Sequence, residues 1–368
     1  MRKTFDVCII GGGIIGTAIA YYTARKGLRP LILERSTFGS QSTQAAGGML
    51  GAQVETNTPD PLFQFAVQSR AMFQDLQAEL KELSGYDIEL QTAGMIRLAV
   101  SEEDRASLLA KQEWQTQFGQ RAEWMEDADI RKMAGDLFGA TYGGLFLPDD
   151  LQVRSMAMLQ ALLAGARKLG AEVQEHTEVI NFLQEGGRVI GVETGNGPFY
   201  ADQTVLAAGA WSGLISRRIG LDLPVFPVKG QSILAKASSP ITPFTVFTHG
   251  TYFVPKISGH LYIGATMEQV GFDKTHTLQG INRILTDATR ILPSIKQLGI
   301  HSTLVGLRPG SADGLPYIGS IEGIEGLHVA SGHLRNGILL APLTGLVVSE
   351  LLTGQPVSVD LTPFSISR

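Results

Sequence analysis

"VCIIGGGIIGTAIAYY", residues 7–22, decides the fold, and it follows a basic start, Met1-Arg2-Lys3. It has two interpretations. As a secretory signal peptide it has the charged start and an uncharged run, but three successive glycines interrupt the expected apolar helix and no convincing A-x-A cleavage site follows. The alternative, the first turn of a nucleotide-binding sheet, explains more of these residues, and we adopt that interpretation.

The glycine turn lies between a predicted strand and a predicted helix. Residues 5–10 form a short apolar, β-branched run typical of a parallel strand, and Ile14–Arg25 has helical spacing of apolar residues. Gly11 permits the tight turn, Gly13 lets the backbone approach a pyrophosphate, and Gly16 lets the helix pack close to the strand. The N–H groups and the dipole of the helix start favour phosphate. The turn therefore predicts a nucleotide site.

A carboxylate at the end of the second predicted strand supports the nucleotide site. Pro30–Leu33 is followed by Glu34, eighteen residues after Gly16. A carboxylate there can accept hydrogen bonds from ribose hydroxyls, and it disfavours a 2′-phosphate. A lone glycine motif is weak evidence, because a glycine-rich loop can bind nothing. The full strand–turn–helix context favours an adenosine diphosphate group.

Composition limits the class of protein. The chain has 368 residues, 44% hydrophobic and 18% charged, which is typical of a globular protein with two packed units. A net charge of -5 argues against nucleic acid as the main partner. The other long apolar stretch, residues 337–349, is too short to span a bilayer and contains Pro342 and Gly345, so no membrane partner is expected.

The chemistry-bearing side chains exclude several enzyme classes. Cys8 is the single cysteine, so no intramolecular disulfide can form, and a reducing cytoplasm is the simplest compartment. Within the first strand, Cys8 is expected to be a small buried residue rather than a reactive thiol. The seven histidines lack metal-ligand spacing, and no HExxH or GxSxG motif occurs. We therefore predict no metal site.

Periodicity and turn residues predict the remaining elements. Helices are predicted at residues 60–84, at 101–109 with Ser101 as N-cap, at 156–169 and from about Gly337. Strands are predicted at 94–100, 172–174, in a hairpin around Gly186-Gly187, and at 204–207, 224–237, 245–255, 261–266 and 328–330.

Small residues end one of these strands far from the glycine turn. Ala208-Gly209-Ala210 follows residues 204–207, which suggests one sheet revisited by several segments, with a ligand across the strand ends. The predicted fold class is α/β, with a discontinuous Rossmann-like nucleotide domain (residues 1–85, 150–222 and 305–368). A second, α+β domain (residues 86–149 and 223–304) is built on a mostly antiparallel sheet.

The C-terminal third points to a flavin. "HVASGHLRNGILLAPLTGLVVSELLTG", residues 328–354, reads as a strand, a polar turn and a helix whose start faces back over the turn. Such a helix start stabilises the negative charge that a flavin acquires on two-electron reduction. Together with "STQAAGGMLGAQ" (42–53), "YFVPKISGHLYIGATM" (252–267) and "GLRPGSADGLPYIG" (306–319), the chain resembles the D-amino-acid oxidase/glycine oxidase family of FAD-dependent enzymes over essentially its whole length.

The resemblance implies an FAD that is bound without a covalent link, because relatives that attach FAD use a cysteine and Cys8 lies inside the first strand. The residues that would hold FAD are Gly11, Gly13, Ile14, Ile15 and Gly16 at the pyrophosphate, Glu34 and Arg35 at the ribose, Ser42 and Thr43 at phosphate, Gly47, Gly48 and Met49 along the flavin, Val179 at the adenine, Gly209 at the sheet end, and His333, Leu334, Arg335, Asn336, Gly337, Ile338 and Leu339 against the ring.

The resemblance also implies an amino-acid substrate held by its carboxylate. Arg308 resembles the family's carboxylate-binding arginine, and Tyr252 would donate a hydrogen bond to the same group. Met267 and Arg335 would line the rest of the pocket. Each has a structural alternative: Arg308 tied to backbone carbonyls, Tyr252 as core, and Arg335 as a solvated side chain.

The implied reaction is oxidation of glycine or another small amine, with hydride transfer from Cα to flavin N5 and no protein acid or base. Oxygen would then give H2O2, and the imine would hydrolyse to glyoxylate and ammonia, feeding thiazole synthesis in thiamine biosynthesis. Relatives form homotetramers. The preference among glycine, sarcosine, D-alanine and D-proline stays open. Two alternatives are a membrane-associated, quinone-linked D-amino-acid dehydrogenase and a non-catalytic nucleotide-binding module. The dehydrogenase would need an apolar or basic docking surface, and the sequence shows no amphipathic membrane helix.

Overall fold

The structure is a computed structural model that describes residues 4–135, 138–237 and 241–368. The strands are β1 (Thr4–Ile10), β2 (Pro30–Leu33), β3 (Met49–Leu50), β4 (Met95–Leu98), β5 (Glu123–Met125), β6 (Gly144–Leu147), β7 (Leu151–Gln152), β8 (Glu172–Gln174), β9 (Val179–Glu185), β10 (Arg188–Thr194), β11 (Gly197–Leu206), β12 (Phe226–Lys236), β13 (Thr245–Phe247), β14 (Tyr252–Pro255), β15 (His260–Gly264), β16 (Gly299–Gly310), β17 (Tyr317–Ser320) and β18 (Leu327–Ser331).

The helices lie between groups of these strands along the chain. They are α1 (Ile14–Arg25), α2 (Ser42–Ala45), α3 (Pro61–Ala71), α4 (Phe73–Ser84), α5 (Glu102–Gln117), α6 (Asp127–Ala134), α7 (Ser155–Lys168), α8 (Ser212–Ser216), α9 (Leu278–Ile291) and α10 (Gly337–Leu352). Short 3₁₀ helices lie at Gly209–Trp211, Arg217–Ile219, Pro293–Gln297 and Thr362–Phe364.

The first sheet holds the glycine turn at the end of its central strands. Its order is β17-β18-β11-β1-β2-β8, with β9 and β10 paired off β11. β1 runs parallel to β2 and β11, and β11 runs parallel to β18. The carboxyl ends of strands from distant parts of the chain therefore meet at one edge, as ligand sites of such sheets require. The predicted sheet revisited by several segments is confirmed.

The second sheet has the order β16-β12-β15-β14-β13-β4-β6-β5. Its pairs are antiparallel apart from β13 with β4, so the mostly antiparallel sheet is also confirmed. β16 pairs with β12 from the Gly310–Phe226 contact to the Gly299–Lys236 contact. The proposed domain boundary at residue 305 therefore falls inside one strand, and the division into domains stays a proposal.

Two predicted elements are wrong as single elements. Residues 60–84 form two helices, because the chain bends at Met72 so that α3 packs on α10 while α4 packs on α7. Residues 245–255 form two strands, because a turn at residues 248–251 reverses the chain and pairs Phe247 with Tyr252. The Thr248 N–H donates to the Thr251 carbonyl in that turn at 2.9 Å.

Local signals placed the elements around the glycine turn well. The predicted bounds of α1 and β2 match the structure, and Ser101 caps α5 by accepting a hydrogen bond from the Asp104 N–H at 3.1 Å. Cys8 is buried as predicted, and burial raises the pKa of its thiol to about 12. Gly16 allows the close packing of α1, since a Cβ there would lie 2.0 Å from the Gly11 carbonyl oxygen.

The apolar C-terminal stretch forms α10. This helix is largely buried and packs against α1 and α3 in the core of the first sheet. Among the residues that the structure describes, no helix is both long and apolar enough to cross a membrane. Packing of α10 against α1 brings the starts of both helices to the same edge of the sheet.

Candidate active site

A cavity of about 450 Å³ lies at the carboxyl ends of the first sheet and reaches the second sheet. Its lining contains most of the predicted site residues: Gly11, Gly13, Ile14, Ile15, Glu34, Arg35, Ser42, Thr43, Gly47, Gly48, Met49, Val179, Gly209, Tyr252, Arg308, His333, Leu334, Arg335, Asn336, Gly337 and Ile338. Gly16 and Leu339 lie in the core behind it, and Met267 lines a neighbouring pocket instead.

The turn before α1 leaves room for phosphate. Gly13 precedes the first residue of the helix and lines the cavity. A Cβ at Gly13 would lie 3.7 Å from the Thr43 hydroxyl oxygen, which is ordinary van der Waals contact. That same hydroxyl accepts a hydrogen bond from the Ile14 N–H at 3.2 Å. A helix start with a glycine cradle and a hydroxyl beside it fits a pyrophosphate.

The carboxylate of Glu34 is fixed at the end of β2. It accepts hydrogen bonds from the N–H groups of Gly12 and Ser36, each at 2.8 Å. A carboxylate has about four acceptor sites, so the two remaining ones fit ribose hydroxyls. Beside it, the Arg35 guanidinium lies 4.0 Å from the ring centroid of Trp211. Trp211 lines the cavity and was missed by the sequence analysis, because Arg35 lies far from it along the chain, just after β2.

The loop before α10 carries an unpaired buried nitrogen. His333 is buried, and its Nε2 lies 3.2 Å from the Thr344 hydroxyl. Its Nδ1 has no hydrogen-bond partner among the described residues, and burial lowers the pKa of His333 to about 3. The Asn336 side chain makes no capping bond within the described chain either, which leaves the first N–H groups of α10 for another acceptor. Both features fit a flavin at this end.

Lys256, just after β14, and Tyr262, on β15, support the cavity lining at Gly47. The Lys256 ammonium donates to the Gly47 carbonyl and lies 3.2 Å from the Gln152 side-chain oxygen. The Tyr262 hydroxyl donates to the Ala45 carbonyl at 2.8 Å. Burial lowers the pKa of Lys256 to about 7 and raises that of Tyr262. Both residues lie in the 252–267 motif, but nothing in the sequence pattern indicated that they support the cavity lining near Gly47.

Arg308 lies across Gly230 at the substrate end of the cavity. Its Nη1 donates to the Thr266 carbonyl at 3.0 Å, which uses one of the five donors of the guanidinium. A Cβ at Gly230 would lie 2.2 Å from Nη1, so the glycine makes room for the planar group. The structural alternative, a bond to a backbone carbonyl, is thus present together with a place in the cavity lining.

Tyr252 also has two roles in the structure. Its ring stacks on Phe247 with centroids 5.2 Å apart and on Tyr262 with centroids 6.0 Å apart. It is 6% exposed and still lines the cavity. The core packing holds the ring in place, and the substrate role of the hydroxyl stays a prediction.

Arg335 is held by an ion pair rather than solvated. Its Nε and Nη2 contact the two Glu55 carboxylate oxygens at 2.9 and 2.8 Å, and its guanidinium lies 5.6 Å from the Tyr252 ring centroid. Glu55 raises the pKa of Arg335. Met267 contacts Arg335 through its sulfur at 3.8 Å. Glu55 was missed by the sequence analysis, because its partner lies 280 residues away and no motif contains both.

The sequence and the fold are both similar to those of known FAD-dependent enzymes. Residues 6–351 match the family described as FAD dependent oxidoreductase. The chain is 39% identical over 371 residues to the glycine oxidase of Geobacillus kaustophilus, covering 100% of this chain and 98% of that protein. A crystal structure of glycine oxidase from Geobacillus kaustophilus has a TM-score of 0.95 and 39% identity, covering 99% of each chain.

Another relative is a longer protein. The bifunctional protein ThiO/ThiG of Synechocystis sp. is 35% identical over 375 residues, covering 100% of this chain and 54% of that protein. The family match spans nearly the whole chain, and the glycine turn, the Glu34 carboxylate and the start of α10 surround a cavity that fits the family's cofactor. The chain therefore belongs to the FAD dependent oxidoreductase family.

Proposed function

We propose that the chain is an FAD-dependent oxidase of glycine and other small amines, such as sarcosine and small D-amino acids. One observation carries the proposal: a single cavity contains the glycine turn, the start of α10 and the Arg308 guanidinium. The high similarity to glycine oxidases along the whole chain supports the same substrate class.

Arg308 would bind the substrate carboxylate. Its planar fork can donate two parallel hydrogen bonds to a carboxylate, which fixes orientation as well as position. The hydrogen bond to Thr266 and the space over Gly230 hold the fork on the cavity wall before substrate arrives. The Tyr252 hydroxyl would add a donor to the same carboxylate. Arg335 would border the remaining space, with Met267 against it in the neighbouring pocket.

Bound FAD would supply the two-electron chemistry, taking hydride from Cα and passing the electrons to O2 to give H2O2. The protein's part is to orient the amine, exclude water and avoid protonating it. His333, the buried ring beside the cavity, has its pKa lowered to about 3 and is therefore neutral near pH 7. We assign no residue as acid or base, since a neutral amine needs none. The released imine would hydrolyse in water to glyoxylate and ammonia when glycine is the substrate.

We also propose the setting of the enzyme. Cytoplasmic location is supported by the single cysteine, and a homotetramer is supported by the resemblance to the family. Similarity to a protein named ThiO/ThiG supports a role in supplying the imine for thiazole synthesis.

The electron acceptor distinguishes the proposed oxidase from the two alternatives. Purified protein should be yellow, should lose its colour on acid precipitation, and should form peroxide when mixed with glycine in air. Activity with artificial dyes and none with oxygen would instead identify a dehydrogenase. A yellow protein with neither activity would identify a nucleotide-binding module. Steady-state rates with glycine, sarcosine, D-alanine and D-proline would then order the substrates.

A further inference from the structure

A second cavity, of about 490 Å³, adjoins the active-site cavity. Glu55, Tyr252 and Arg335 line both cavities, so these three side chains form the wall between them. Within the wall, the Arg335 guanidinium lies on the Tyr252 ring and is tied to Glu55 by two hydrogen bonds. Its position therefore decides whether the two cavities are separate.

The anchor for a substrate carboxylate lies next to this wall. The hydrogen-bond partner of Arg308 is the carbonyl of Thr266, and Thr266 lines the outer cavity. The following residue, Met267, lines the outer cavity as well and contacts Arg335 at 3.8 Å. A ligand anchored at Arg308 would thus lie close to Arg335, because Met267, which contacts Arg335, follows the residue that holds Arg308.

Buried charges fix the chain just before Glu55. The Asp150 carboxylate is fully buried and accepts hydrogen bonds from the N–H groups of Gln53 at 3.1 Å and Val54 at 2.8 Å. The Val54 carbonyl accepts from the Arg97 guanidinium and the Lys111 ammonium, each at 3.0 Å. Because the N–H and the carbonyl of Val54 are both held, the Glu55 side chain starts from a fixed point.

We propose that Glu55 determines substrate size, by holding Arg335 as the wall between the two cavities. With the ion pair intact, a ligand anchored at Arg308 is confined to the active-site cavity. Without it, Arg335 is free to leave the Tyr252 ring, and the ligand gains access to the outer cavity. The inference rests on the proposed function only in that Arg308 anchors a carboxylate.

The experiment measures binding to the FAD-loaded enzyme through the change in flavin absorbance. The probes are straight-chain carboxylates from acetate to hexanoate, compared in wild type, Glu55→Ala and Glu55→Gln. Each buried methylene adds binding energy, so the Kd ratio of hexanoate to acetate should fall about tenfold or more in Glu55→Ala. Glu55→Gln should give a smaller fall, since an amide oxygen still accepts one of the two hydrogen bonds.

Glu126→Gln is the matched control. Glu126 also pairs with an arginine through two hydrogen bonds, to Arg105 at 3.0 Å each, but it lines neither cavity. Its Kd ratio should equal that of wild type. A merely structural loss would weaken both probes alike and leave the ratio unchanged, so an unchanged ratio in Glu55→Ala would overturn the inference. If Glu55→Ala fails to fold, Glu55→Gln decides in the same way.

A second readout is the kcat/KM ratio of D-norleucine to D-alanine, which should rise in Glu55→Ala and stay constant in Glu126→Gln. A constant ratio in Glu55→Ala would count against the inference. Wild-type enzyme that binds acetate yet forms no peroxide with glycine would refute the proposed function while leaving the Kd ratio to judge Glu55.

Discussion

The glycine turn and the Glu55 wall border the same cavity but are built in opposite ways. The turn uses neighbouring residues, from Gly11 to Gly16, and close backbone packing. The wall uses side chains that converge from distant segments, with Glu55 paired to Arg335, and the buried pair of Asp150 and Arg70 supports the chain just before Glu55. The glycine turn is therefore specified by local sequence, and the wall by a long-range ion pair. The two regions should also fail differently when they are changed.

The largest effect should come from filling the glycine turn. A Cβ at Gly16 would lie 2.0 Å from the Gly11 carbonyl oxygen, so Gly16→Val must push α1 away from β1. We expect the variant to purify without FAD, measured as the ratio of flavin to protein absorbance. Gly195→Ala is the control, since no described atom lies within 4 Å of its Cβ position. Normal FAD content in Gly16→Val would show that the close packing is unnecessary.

Among changes near the wall, loss of the buried Asp150 charge that supports it should lower the free energy of unfolding most. Asp150→Asn leaves Arg70 without a carboxylate partner in a buried site, and removing one partner of such a pair costs about 3–5 kcal/mol. Denaturant unfolding measures the change. Asp149→Asn is the control, because the pair between Asp149 and Arg121 is exposed and is worth about 0–1 kcal/mol. Equal losses of unfolding free energy in the two variants would mean that the buried pair stabilises the protein no more than the exposed pair does.

Lys111, which donates to the Val54 carbonyl next to Glu55, should make the free energy of unfolding depend on pH. Burial, followed by the charge of Arg97, lowers the pKa of Lys111 to about 7, whereas an unfolded lysine titrates near 10.4. Between these values the unfolded chain keeps a proton that the folded protein has lost, so Lys111 makes stability rise with pH by up to about 1.4 kcal/mol per unit. Lys111→Met should remove this rise.

Unfolding free energies at about pH 7 and about pH 9 check this expectation. The difference between wild type and Lys111→Met should shift in favour of wild type at the higher pH. A difference that is the same at both values would mean that Lys111 keeps an ordinary pKa beneath the wall.

The smallest effect should come from Cys8 on the first strand. The side chain is fully buried, so Cys8→Ala should cost about 1 kcal/mol of unfolding free energy. FAD should remain bound and should still leave on acid precipitation. A colourless Cys8→Ala protein that otherwise folds normally would give the sulfur a part in holding the cofactor.

The difference between the two regions explains what the sequence could predict. The strand, the glycine turn and α1 follow one another, so the apolar β-branched run, the glycine spacing and the helical periodicity place them without tertiary information. The bend at Met72 was not predictable in this way, because the apolar face of residues 60–84 continues through it. The two halves separate only because they pack on different helices, α10 and α7.

The candidate site shows the same division. The family motifs led to Arg308, Tyr252 and the residues around α10, and all of these except Leu339 line the cavity, whereas Met267 lines the neighbouring one. Glu55 and Trp211 were missed, since each is defined by a contact with a side chain far along the chain, Arg335 and Arg35. The roles of all these residues in binding stay predictions.

The central claim is that one cavity binds FAD and holds glycine by its carboxylate on Arg308. The most direct test mixes the FAD-loaded enzyme with glycine in the absence of oxygen and follows the absorbance of oxidised flavin. We predict complete loss of that absorbance with an equal amount of glyoxylate. Arg308→Ala should keep its FAD and lose the absorbance about a hundredfold more slowly or worse. Flavin that stays oxidised in wild type, or an Arg308→Ala variant as fast as wild type, would contradict the account.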